Sequence, residues 1–444
     1  MALKQVAVRR RAAIVIAVFG AVARLDAQQL VATPYDKTGI YPVGKTVGWT
    51  IAVAEGQQAS PGAYTYVVKQ NGGPVIKNGT LDLAKGPATI ETSLNAPGMV
   101  RVEIRPPSGA TARFGNVNTG GDGVVVLGGA VDPTKIKPVI ARPADFDDFW
   151  KKKLDLLARV PMNAVVTPKE SGVAGVEYAT FKLDNLGGAH VWGQIAKPAR
   201  EGKFPALIIF QWASAPYPLT KQWVTDRAAE GWLTINVEPH DVPSDMPQPF
   251  YDALPQMIKE YAKINNTDRD HNYFLQMYLG DYRAIEYLAS RPDWDGRTLV
   301  ANGISMGGQQ SLVMAGLNPR ITAVVVNVPA GADANAAQHG RQAGYPNWDI
   351  ANPLVAETAR YFDVVNFAPR IKAPVMAAMG FIDEVTPAIG IWTALNQIPG
   401  VKEPVPMIDS PHNHQATPAQ LAPYTKRSGE WLRALLHGEA VPPK

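Results

Sequence analysis

A serine at the tip of a tight turn is the first feature that could do chemistry. Residues Arg297 to Ser311 read Arg-Thr-Leu-Val-Ala-Asn-Gly-Ile-Ser-Met-Gly-Gly-Gln-Gln-Ser. A short apolar run, Leu299 to Ala301, leads into Gly303-Ile304-Ser305-Met306-Gly307, and helix-forming residues follow through Leu317. Strand, sharp turn and helix are the context in which Gly-x-Ser-x-Gly becomes a nucleophile elbow. Ser305 must then adopt a strained backbone while strand and helix approach closely, so side chains at 303 and 307 would collide. The competing reading is a Gly-rich strand-to-helix turn with a capping serine.

A serine hydroxyl attacks only when a base takes its proton, and a carboxylate usually orients that base. On a hydrolase sheet of this kind the chain order is nucleophile, acid, base. Downstream of Ser305, the run Ala377 to Pro387 sets Asp383 just past a strand end, with Glu384 its nearest rival and a helix cap the alternative role. The next strand precedes Asp409-Ser410-Pro411-His412-Asn413-His414. Asn413-His414-Gln415, leading to Ala416-Thr417-Pro418 at a helix start, favours His414 as base, with His412 the alternative. The other five histidines lie elsewhere in the order. His412 and His414 could also be a metal pair, but no third ligand stands at a convincing spacing, so no metal is expected. The oxyanion hole needs two backbone N–H groups. Met306 would supply one and Ala213, in the loop after Phe210, the other. Trp212 could line the substrate site or simply pack.

The elements that must position these residues follow an alternating pattern. Strands are expected at Val176–Leu183, His190–Ala196, Pro205–Phe210, Leu233–Val237, Ile321–Val328, Val375–Met379 and Val405–Ile408. Helices are expected from Asp145 to about Arg159, from His271 to Ser290, and from about Thr417 to Leu436. This alternation predicts an α/β fold with a doubly wound sheet. Gly331 to Ala359 is a long irregular insertion of the sort that forms lids.

Ahead of it, residues 28–128 read as a small all-β sandwich, immunoglobulin-like in general form. Its strands include Val47–Val53, Tyr64–Lys69 and Gly98–Ile104. Asn71-Gly72-Gly73 is a hairpin turn, and Asn78-Gly79 a second turn between Pro74–Lys77 and Thr80–Leu83. Gly121 to Pro138 reads as a crossing segment. No cluster of catalytic residue types lies in this unit, so it is expected to be structural.

The chain has 444 residues, with 43 basic and 39 acidic side chains. Residues 1–27, basic at Lys4 and Arg9–Arg11 and then apolar from Ala12 to Ala23, read as a secretory signal, and a secreted or periplasmic location follows. Without that segment, 38 basic residues face 38 acidic ones. Neither nucleic acid nor an anionic membrane is therefore expected as a partner. The absence of cysteine excludes thiol nucleophiles and thiolate metal sites.

Several stretches carry a family resemblance. Asp145-Phe146-Asp147-Asp148-Phe149-Trp150 resembles the opening of the acetyl xylan esterase and cephalosporin-C deacetylase family, carbohydrate esterase family seven. Tyr282-Arg283-Ala284-Ile285-Glu286 through Gly308, Tyr361-Phe362-Asp363 through Ala368, and Asp383 through Pro387 are similar as well. The resemblance covers about residues 134–440. It implies an α/β-hydrolase that deacetylates xylan or other saccharides by a serine mechanism without a cofactor, with Ser305, Asp383 and His414 as its triad. Asn413-His414-Gln415 matches the family's Asn-His-Glu loop. The chain departs from the family at Gln211-Trp212, where a His-Gly pair is usual. Glu238-Pro239-His240-Asp241 stands where Arg-Gly-Gln-Gly is usual, and Met306 follows the serine in place of Gln. These departures imply an altered pocket. Two other readings remain open: a prolyl-oligopeptidase-like serine peptidase, and a non-catalytic carbohydrate-binding protein.

Overall fold

The computed structural model describes residues 28–108, 112–114 and 123–442. The expected signal segment, residues 1–27, lies outside the described residues. The N-terminal strands are β1 (Gln28–Pro34), β2 (Ile40–Tyr41), β3 (Val47–Val53), β4 (Tyr64–Gln70), β5 (Val75–Leu81), β6 (Ala88–Thr92), β7 (Gly98–Arg105), β8 (Ala112–Phe114) and β9 (Val125–Val131). They form a four-stranded sheet, β6-β3-β1-β8, and a five-stranded sheet, β2-β9-β7-β4-β5. Alternate residues of the two sheets meet in one apolar core, including Trp49, Ile51, Tyr64, Val68, Val102 and Leu127.

The turn between β4 and β5 takes left-handed backbone at Asn71 and Gly72, as its residue types predict. The second expected turn does not form, because β5 runs straight through Asn78-Gly79. Gly79 stands opposite Tyr66 in register, and a Cβ there would come within 2.7 Å of the Tyr66 ring. Here glycine seats an aromatic ring rather than bending the chain. The segment read as a crossing holds β9, whose apolar run pairs with β7 along its whole length.

The remaining strands are β10 (Val165–Lys169), β11 (Val176–Asp184), β12 (His190–Pro198), β13 (Phe204–Phe210), β14 (Leu233–Val237), β15 (Trp294–Ile304), β16 (Ala323–Asn327), β17 (Val375–Gly380) and β18 (Lys402–Met407). They make one nine-stranded sheet in the order β10-β11-β12-β14-β13-β15-β16-β17-β18. β10, β11, β12 and β14 pair antiparallel in turn. From β14 to β18 every pairing is parallel.

Both faces of this sheet are covered, which is why its central strands are continuously apolar. Ile208, Val324 and Val326 point to the layer holding Phe146, Trp150, Phe274 and Trp392. Their neighbours Leu207, Ala323 and Val325 point to the opposite layer, with Trp431 and Leu432 of the last helix. Helix Phe146–Ala158 buries Phe146, Phe149, Trp150 and Leu157 at helical spacing. The last helix, Pro418–Leu436, opens with a capping box between Thr417 and Gln420.

Candidate functional site

The parallel strands end on one edge of the sheet, and three of those ends bring the candidate residues together. β15 ends at Ile304, and Ser305 follows at φ 57° and ψ −119°. That conformation is costly for a residue with a Cβ, and the surroundings hold it. The Ser305 N–H donates to the Asn327 carbonyl at 3.0 Å, and the Ser305 carbonyl accepts from Gln309 and Ala330, each at 3.0 Å. A Cβ on Gly303 would lie 2.2 Å from the Gly307 carbonyl group. One on Gly307 would lie 2.2 Å from the Phe210 carbonyl oxygen. Both glycines are thus required by backbone packed against backbone, as the turn chemistry predicts. The helix Met306–Leu317 that follows is buried along its whole length.

Beyond β17, Asp383 turns back against its own loop. Its Oδ1 accepts the N–H groups of Val385 and Thr386, each at 2.8 Å. Its Oδ2 accepts the Thr386 hydroxyl at 2.9 Å and lies 2.7 Å from Nδ1 of His412. Nε2 of His412 lies 3.0 Å from Ser305 Oγ. Ser305, His412 and Asp383 are all buried. A ring N–H donated to Asp383 leaves Nε2 free to accept the serine proton, which is the arrangement a general base requires.

His414 does not enter this chain of bonds, contrary to the expectation that favoured it. Its ring is exposed and meets His412 edge to face at 5.3 Å between centroids. The cause is a turn immediately after His412, whose carbonyl accepts the N–H groups of Gln415 and Ala416. Chain reversal there carries His414 outward. Asn413 ties the loop to the end of β16, with Asn327 Nδ2 donating to its side-chain oxygen at 2.7 Å.

Met306 opens its helix, where the leading N–H groups have no partner within the helix. Ala213 lies in the loop after β13 and lines a cavity of about 520 Å³ together with Tyr261, Tyr345 and Trp348. Tyr345 and Trp348 come from the irregular insertion, so that segment does form part of a cavity wall. The Tyr261 and Tyr345 hydroxyls lie 2.6 Å apart, and 3.3 and 3.2 Å from the Met306 sulfur. Trp212 is 39% exposed. It stacks on Tyr217 at 5.8 Å and meets Trp223 edge-on at 5.0 Å.

Residues not singled out from sequence hold this frame. Gln310 donates to the Gln211 carbonyl at 2.9 Å, fixing the start of the Ala213 loop. Thr386 steadies the Asp383 carboxylate. His240 donates from Nε2 to the Ser214 carbonyl at 3.0 Å and accepts the Tyr273 hydroxyl at Nδ1, 2.7 Å away. Because a carbonyl only accepts, this bond sets the tautomer. Spacing alone held no signal for Gln310 and His240, whose partners are distant in the chain, whereas Thr386 stands three residues from Asp383. Among the described residues, no group of three or more His, Asp or Glu is gathered as a metal site would require.

Burial pulls the His240 imidazole down to about 4 from the ordinary 6.5, against the Ser214 carbonyl, which favours the charged form. The unfolded chain therefore takes up this proton first. The stability contributed by neutral His240 is fully present above pH 6.5 and is lost as the pH falls towards 4. Over that window the loss is worth ~3 kcal/mol. Urea unfolding at a series of pH values should show a shallower acid dependence for His240→Gln, and equal slopes for the two proteins would contradict the assignment.

Comparison with known proteins follows the same lines. The family model for acetyl xylan esterase (AXE1) matches residues 134–427. Acetyl esterase Axe7A of Xylanibacter ruminicola is 32% identical over 279 residues, which are 61% of this chain and 64% of that protein. The match thus spans less than two thirds of that relative's length. Acetyl xylan esterase 1 from Thermoanaerobacterium sp. JW/SL YS485 superposes with a TM-score of 0.56 at 21% identity, covering 69% of this chain and 97% of the other. The acetyl xylan esterase from Paenibacillus sp. R4 gives 0.57 at 22% identity, covering 67% and 98%. At that identity the likeness speaks to the fold, which is α/β-hydrolase-like. With a family match over most of its length, the chain belongs to the acetyl xylan esterase family.

Proposed function

We propose that this chain is a serine carboxylic-ester hydrolase that removes acetyl groups from xylan or other acetylated saccharides. Ser305 is the nucleophile, His412 the general base, and Asp383 the carboxylate that orients it. The observation that carries this reading is the pair of hydrogen bonds through His412, 3.0 Å to Ser305 and 2.7 Å to Asp383. Family membership supports ester chemistry, and the printed name of the Xylanibacter ruminicola relative, an acetyl esterase, supports acetyl as the acyl group.

As Oγ attacks the ester carbonyl, Nε2 takes its proton and Asp383 stabilises the imidazolium. The N–H groups of Met306 and Ala213 receive the developing oxyanion. When the tetrahedral intermediate collapses, the C–O bond to the sugar breaks and His412 gives its proton to the departing sugar oxygen, which leaves as a hydroxyl with the acetyl group on Ser305. Water, deprotonated by the same imidazole, then releases acetate. Side chains and backbone complete every step, so the mechanism calls on no cofactor. Tyr345 and Trp348 in the wall of the 520 Å³ cavity offer aromatic surface for a sugar ring, and exposed Trp212 offers more. Residues 1–27 direct the protein out of the cytoplasm, to the periplasm or beyond. The strands from Gln28 to Val131, three residues past the expected boundary at 128, form an immunoglobulin-like sandwich beside a catalytic unit spanning 134–440.

The test of the substrate is acetate release. The purified protein should release acetate from acetylated xylan and leave a chromogenic prolyl peptide intact. Peptide cleavage without acetate release would overturn the reading.

A further inference from the structure

Two strands of the N-terminal sheets, β7 and β9, press on the loop that carries Asp383, and the β4–β5 turn reaches it through Gln342. Arg101 on β7 pairs with Glu384, the residue after Asp383. In register, Arg101 stands directly opposite Gly128 on β9. Gly128 lies so close to Phe381 that a Cβ there would meet its carbonyl oxygen at 2.5 Å. Ile382, the residue before Asp383, is buried against Val124 and Val126. From the β4–β5 turn, the Asn71 carbonyl accepts the Gln342 N–H at 2.8 Å, and the Gln342 amide donates to the Glu384 carbonyl at 3.4 Å. The next link joins the insertion to the same loop, with the Tyr345 N–H donating to the Val385 carbonyl at 2.8 Å.

We propose that the N-terminal β unit is a positioning element for the reaction, holding the Asp383 loop through the Arg101–Glu384 pair and the Gly128–Phe381 contact. The proposal rests on the assignment of Asp383 and His412 above. On either side of Asp383 the chain touches this unit, at Phe381 and Ile382 before it and at Glu384 after it. Among the described residues, the Asp383 carboxylate itself is held only by its own loop and by His412. Its distance from the imidazole therefore depends on where the loop sits. Arg101 is well suited to set that place. It is itself fixed by Glu103 at 3.0 Å, which Lys69 holds at 2.7 Å. A guanidinium braced from one side presents a directed fork to the other. Arg101 and Glu384 touch no reacting atom, so both are positioning residues.

A pair with one half-exposed member adds little to global stability, and this separates positioning from folding. The experiment uses full-length Arg101→Gln, Glu384→Gln and the double variant. Active sites are titrated with a phosphonate ester, kcat and KM are measured on p-nitrophenyl acetate, and Tm is recorded. Each single variant should lose about tenfold or more in kcat, with KM little changed, as small misplacements of catalytic groups do. The double variant should lose no more than either single, because both changes break one contact. Arg101→Lys should recover part of the loss. If both singles keep kcat within about twofold of the parent, or if lowered kcat merely tracks a lowered Tm, the proposal fails. Failure of the underlying assignment looks different: Ser305→Ala would then retain turnover.

Discussion

Ser305→Ala should reduce p-nitrophenyl acetate turnover by about 10⁴- to 10⁶-fold while leaving circular dichroism and Tm close to those of the parent. The size follows from what is removed. Without Oγ there is no acyl-enzyme, and any residual rate must come from water acting in a site that still offers oxyanion donors. The fold should be indifferent, because the hydroxyl's partner is the imidazole and the turn is held by backbone. The Ser305 N–H bonds to Asn327, and its carbonyl accepts from Gln309 and Ala330. Alanine keeps the Cβ that already tolerates φ 57°. Steady-state kinetics on the purified variant check the loss, with thermal unfolding as the control for folding.

The two histidines separated by one residue should behave very differently. His412→Ala should cost about 10³- to 10⁵-fold in kcat, whereas His414→Ala should stay within about fivefold of the parent. His412 alone bridges Ser305 and Asp383, at 3.0 and 2.7 Å. His414 is exposed and contributes an edge-on ring contact, so its removal should touch only the packing around the base. Parallel kinetics on the two variants decide the matter. A large loss for His414→Ala with a mild one for His412→Ala would require the loop to rearrange on substrate binding and would reverse the assignment.

That contrast also marks where the sequence stopped being readable. The turn around Ser305 was legible because backbone crowding leaves a compositional trace. Gly303 and Gly307 face carbonyl groups at distances no Cβ can occupy. The doubly covered sheet was legible for a related reason, since strands buried on both faces must be apolar throughout. The choice of histidine left no such trace. Both are followed by short polar residues, and the deciding event is a reversal of the chain closed by bonds from Gln415 and Ala416 to the His412 carbonyl. The family's loop pattern, matched on residue types around His414, singled out a ring that the same reversal leaves outside the bonds joining Ser305 and Asp383. In the N-terminal unit, Asn78-Gly79 was misread as a turn. A glycine that makes room for Tyr66 has the same letter as one that bends the chain. The roles of Gln310 and His240 were invisible because each depends on a partner that only the folded chain brings near. Likewise, nothing in the spacing of Arg101 and Glu384, 283 residues apart, announces their contact.

The central claim is that one acyl-enzyme forms on one hydroxyl, and the most direct measurement of it is covalent. The protein is treated with a fluorophosphonate, and the adduct is located by peptide mass spectrometry. The account predicts a single adduct on Ser305, loss of ester turnover in proportion to labelling, and greatly slowed labelling of His412→Ala. An adduct on another residue, or full esterase activity in protein labelled stoichiometrically at Ser305, would contradict it.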